Sequence, residues 1–154
     1  MHVARESPAE PPTWFTSPMR DINFGTDEIR TILHLLAVSV WLGGQILMMG
    51  LVPVLRKLGG DAPRAAAGAF ATVAWPAFGL AVVTGIWNIF AVDLANVSSG
   101  YNAVFGIKML LVVATGFAAF VHQRTDKASI RGMTGALGFV AALGAVVIGV
   151  LMSH

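Results

Sequence analysis

Cysteine is absent from this 154-residue chain. That excludes disulfides, thiolate zinc sites, iron–sulfur clusters and covalently attached c-type haem. Charge is scarce too. Only 12% of residues are charged, against roughly 25% in soluble domains. Signatures of hydrolases, kinases and nucleotide-binding loops are missing. The glycine-rich stretches lie inside apolar runs, where a phosphate cradle is not credible. A signal peptide is not expected, because Met1–Pro12 is polar and proline-rich and lacks an apolar core. The first apolar run is expected to direct insertion itself.

Apolar sequence dominates what remains. It makes up 56% of the chain, and mean hydropathy is +0.74. Four apolar runs cover about 29–55, 64–92, 102–122 and 132–152. Each holds about 20 residues or more, enough to cross about 30 Å of hydrocarbon. Strand-like alternation is absent, and only helices or closed barrels satisfy their backbone in lipid. The expected fold is all-α, an integral membrane four-helix bundle over 29–154, with the lipid bilayer as its main partner. Residues 1–28 precede it. Trp14, Phe15 and Phe24 suit a segment lying along the outer interface, and a plain tail is the alternative.

Local signals mark the span boundaries. Thr26 is placed to cap span one, with Asp27 and Glu28 in its first turn. Asp61 and Pro63 read as cap and first turn of span two. Ser98, Ser99 or Asn102 can start span three. Pro76 is expected to kink span two and free the Thr72 carbonyl.

The basic residues indicate orientation. Arg56, Lys57 and Arg64 lie between spans one and two, and Arg124, Lys127 and Arg131 between three and four. The loop between two and three has only Asp93. The positive-inside rule puts both termini on the extracytoplasmic side of a multi-pass cell-membrane protein. Topology accounts for the basic charge better than nucleic acid does.

In lipid each polar residue needs a reason to be there. His34, Trp41, Gln45 and Met48 are spaced seven, four and three apart, so they share one stripe, with Met49 beside it. Lys108, Thr115 and His122 are spaced by seven and share a face of span three. Thr84 and Asn88 share a face of span two. His34 and Lys108 both lie roughly 8–9 Å below the outer end of their spans. Asn88 can join them. His122 is at the inner end, too far to share an ion with His34.

Each of these also has an ordinary reading. His34 can be an interior histidine bonded across helices. Lys108 can snorkel to the outer headgroups. His122 can be interfacial, and Met48 and Met49 can be simple packing. Trp41 is too deep for the interfacial belt and must pack in the bundle or on a flat ligand. Span four carries Gly135, Gly138, Ala142, Ala145 and Gly149. This small-residue face reads as scaffold, suited to close packing on another helix, a second copy or a partner in a membrane complex.

The run from His34 through Trp41-Leu42-Gly43-Gly44 resembles the first-helix motif of the copper resistance D family. Thr84-Gly85 resembles its next-helix step, and Tyr101…Gly106-Ile107-Lys108 its third-helix segment. The resemblance spans about 29–131. It implies copper handling in the bacterial cytoplasmic membrane, with His34 as outer ligand and Met48 and Met49 deeper on the stripe. The same residues resemble the four-helix haem-linked protoporphyrinogen oxidase family, which pairs a first-helix His and a later Trp with a third-helix Lys. That resemblance implies haem b on His34, with Lys108 as propionate partner or second ligand; Trp41 can border the ring, and Asn88 is a cofactor-binding candidate by its depth. The chain lacks that family's Pro-Arg step, which points to haem binding rather than oxidase activity. A third expectation is an accessory subunit of a larger membrane complex.

Overall fold

The computed structural model describes residues 25–90 and 98–152. Four helices span them: α1 (Thr26–Leu58), α2 (Ala62–Phe90), α3 (Ser99–Arg124) and α4 (Ala128–Leu151). Strands are absent among the described residues. All four helices are long and apolar enough to cross a membrane. Several run a turn past the apolar runs. Hydropathy marks the width of the hydrocarbon, whereas a helix ends where its backbone hydrogen bonds end. Trp14, Phe15, Phe24 and residues 91–92 lie outside the described residues.

The helix starts follow from local chemistry. Gly25, not Thr26, is the N-cap of α1. Its N–H donates to Glu28 Oε2 at 2.8 Å, because a carboxylate three residues on can reach back to the cap amide. Thr26 is thereby the first helical residue. The Asp61 carbonyl accepts from the Ala65 N–H at 2.9 Å, opening α2 where its cap signal lies. Ser98, one of the three candidates, caps α3 by accepting the Tyr101 N–H at 3.2 Å. Gly59 and Gly60 adopt φ of 78° and 61°, left-handed values that close the short α1–α2 turn at little steric cost. Helix α2 runs through Pro76 without interruption. Proline gives the Thr72 carbonyl no donor, and the Thr72 hydroxyl bonds the Ala69 carbonyl at 2.7 Å.

The helices pack as two antiparallel hairpins, α1 on α2 and α3 on α4, with a smaller backbone approach of α1 to α4. Within α3–α4, small residues set the spacing. A Cβ on Gly138 would stand 3.3 Å from the Ala118 Cβ, and one on Gly144 3.1 Å from Leu111. Helix α4 buries Gly138, Ala141, Ala142 and Ala145. Its small-residue face is thus covered by α3 of the same chain. The outer surface is apolar: Leu110 is 71% exposed and Phe117 68%, as expected of side chains that face lipid.

Large side chains bridge the two hairpins. Trp41 of α1 stacks on Phe78 of α2 with ring centroids 4.5 Å apart, and Trp75 lies 5.7 Å from Trp41. Phe78 reaches across to Gly116 of α3, where a Cβ would stand 2.7 Å from its ring. Trp75 Nε1 donates to Gln123 Oε1 at 3.0 Å.

Candidate functional site

One hydrogen bond sets the register between the hairpins. Trp41 Nε1 donates to Thr115 Oγ1 at 3.3 Å. The Thr115 hydroxyl donates in turn to the Gly138 carbonyl at 2.8 Å. This chain ties α1, α3 and α4 together at mid-depth. Helices α1 and α3 run in the same direction, since each opens a hairpin. His34 and Lys108 each lie seven residues before this contact, about two turns toward the start of their helices. They therefore stand at one level along the bundle.

His34 is half-buried, with Nδ1 2.9 Å from Thr84 Oγ1. The Thr84 hydroxyl has one proton, and the Leu80 carbonyl takes it at 2.7 Å. Backbone bonding of this kind is habitual for helical threonine. Nδ1–H is then the donor, which leaves the lone pair on His34 Nε2. Thr84 is buried to 2% exposure, so this orientation is held firmly. The ring lies against Gly85, where a Cβ would stand 3.4 Å from Cε1, an ordinary contact.

Lys108 is half-buried and lies along α4, where a Cβ on Gly149 would stand 3.3 Å from Nζ. Gly149 is in the last turn of α4, whose dipole favours a cation. No described residue forms an ion pair with this ammonium. Arg30 lies one turn outward of His34 on the same face. Its side chain is 12% exposed and meets Asp27 at 3.1 Å, while its Nε is buried without a hydrogen-bond partner. This end of the bundle thus holds one oriented imidazole and two cations. Asp27, itself 73% exposed, is the only acid paired there among the described residues.

The other sequence candidates fall elsewhere. Asn88 is half-buried one turn beyond Thr84, and Thr84 rather than Asn88 contacts His34. Trp41 is buried at 7% exposure, and its ring packs on aromatic residues. Gln45 is spent on the Trp41 carbonyl at 3.2 Å. Met48 and Met49 come 14 and 15 residues after His34, about 21 Å along the axis, so they do not share an ion with it. Met48 is half-buried, and Met49 is 52% exposed. His122 lies at Met48's level, its Nδ1–H donating to the Arg131 carbonyl at 2.8 Å. Among the described residues no group of three His, Cys, Asp or Glu side chains converges on a metal position.

Sequence reasoning overlooked Arg30 as a site residue, along with Trp75 and Phe78. Arg30's spacing of four from His34 was the available signal.

Fold and site together define a multi-pass helical membrane protein with a polar cluster in one half of its bundle. No family model, curated protein or solved structure matches the chain.

Proposed function

We propose that this protein binds haem b in the outer half of its bundle. His34 Nε2 would ligate its iron, and Arg30 and Lys108 would pair with its propionates. The carrying observation is the donor set: one imidazole with its free nitrogen fixed by Thr84, flanked by two incompletely paired cations. An ammonium or guanidinium suits a carboxylate-bearing cofactor. It opposes a bare copper ion, for which Met48 and Met49 are also too distant from His34. Bound haem would supply a one-electron redox centre, tuned by the single imidazole and the buried surroundings. Both termini face the extracytoplasmic side of the bacterial cytoplasmic membrane, with the two basic turns inside.

The test is the absorption spectrum and metal content of the purified full chain. Haem predicts a Soret band that is lost in His34→Ala. Copper in elemental analysis without a Soret band would establish the copper-handling reading instead. Neither cofactor, together with stoichiometric co-purifying subunits, would establish the accessory-subunit reading.

A further inference from the structure

A second polar region lies at the opposite end of the bundle and plays no part in the outer site. A cavity of about 870 Å³ opens there between the two hairpin turns. All four helices contribute to it: Arg56 from the end of α1, Arg64 from the start of α2, His122 from the end of α3 and Arg131 from the start of α4.

The charges are sorted. Six basic residues lie at this end: Arg56, Lys57, Arg64, Arg124, Lys127 and Arg131. Topology needs only their number. Those that line the cavity are three of the four arginines, whereas both lysines and Arg124 lie outside its lining. Arginine is the side chain whose planar fork matches a phosphate. Arg56 and Arg64 form no ion pair with any described residue. Against these three arginines the lining sets two aspartates, Asp61 and Asp126, which leaves one formal positive charge. Asp126 faces Arg131 at 3.9 Å, and Asp61 pairs with no described cation.

Two further features suit an anion. Helices α2 and α4 both begin at the cavity, turning their positive dipole ends toward it. The start of α4 has no side-chain cap, so its first N–H groups are not taken by one. Arg131 is held in place: its Nη2 donates to the Thr125 carbonyl at 2.6 Å, and its own carbonyl accepts from His122 Nδ1. The deeper wall is apolar, formed by Val52, Ala67 and Ala71.

We infer that this cavity binds the phosphate of an anionic glycerophospholipid, with the arginines on the headgroup and the apolar wall beside the upper acyl chain. Basic pockets between membrane helices take such headgroups. The inference does not rest on haem binding, and its readout is independent of any Soret band.

The experiment is native mass spectrometry of the full chain after incubation with phosphatidylglycerol or phosphatidylcholine. Wild type should retain phosphatidylglycerol about tenfold better than phosphatidylcholine, and Arg56→Gln/Arg64→Gln should abolish most of that preference. Lys57→Gln/Lys127→Gln removes the same charge outside the cavity and should keep it. Circular dichroism checks that both variants fold, and Arg56→Lys/Arg64→Lys replaces the first if it does not. Equal loss in both variants would mean general surface attraction and overturn the site. So would equal retention of the two lipids. Displacement of the lipid by millimolar inorganic phosphate would reassign the cavity to a soluble anion.

Discussion

Trp41 on α1 donates its indole proton to the Thr115 hydroxyl on α3 across 3.3 Å, and this contact brings His34 level with Lys108. The first hairpin carries the imidazole and the second the ammonium. Neither hairpin alone holds the site. Thr115 is buried to 3% exposure and also satisfies the Gly138 carbonyl.

Thr115→Val should therefore leave the Trp41 indole N–H unpaired inside the bundle. Loss of about 1 kcal/mol is expected, since interhelical bonds in membranes are modest. Denaturant titration in detergent, followed by tryptophan fluorescence, measures it. An unchanged midpoint would show that the bond does not hold the hairpins in register.

Thr84→Val should weaken ligand retention at His34 by about 10–100-fold, as loss of a partner that orients a ligating histidine commonly does. Thr84→Ser keeps the hydroxyl and should restore retention. Haem titration of the purified variants distinguishes the two. Similar loss in Ser and Val would mean that packing, not the hydroxyl, matters.

Lys108→Met should lower retention by about tenfold, the order expected for one charge-assisted hydrogen bond, with Lys108→Arg retaining more. Binding that is indifferent to Lys108→Met would remove this residue from the site.

Gly116→Ala should cost about 1–3 kcal/mol, because the new Cβ would overpack the Phe78 ring. Gly50→Ala provides the contrast. Nothing lies within 4 Å of its Cβ position, and replacing a mid-helix glycine should add up to about 1 kcal/mol of stability. Thermal unfolding of both variants decides. Equal effects would contradict the inter-hairpin contact.

Trp75→Phe keeps a ring but gives up the bond to Gln123 Oε1. A loss of about 0.5–1 kcal/mol is expected. Gln123→Ala in the Trp75→Phe background should add little to that loss, because the two residues share one interaction. Additive losses would mean that the residues act separately.

His34 and Lys108 were legible as candidates in the sequence because heptad spacing fixes helix faces. His34 and Trp41 share one face, Lys108 and Thr115 another, and equal depth made the imidazole and ammonium candidates for one site. Asn88 and Thr84 also share a face, and spacing alone could not say which would meet His34. The distance from ring to hydroxyl decided for Thr84. Arg30 escaped notice because an arginine at a span end carries a topological signal whichever way its side chain turns. Trp75 and Phe78 escaped because aromatic residues in an apolar run do not stand out.

The sequence by itself determined the four membrane helices and the charge asymmetry of their loops. Both are sums over neighbouring residues, and hydropathy and charge add locally. Only the tertiary structure decided which helix each polar face meets. It put α3 over the small residues of α4, gave the Thr84 hydroxyl to His34, and gathered three arginines around one cavity. Those outcomes depend on how four helices share a limited set of close approaches, and no window along a single helix contains that information.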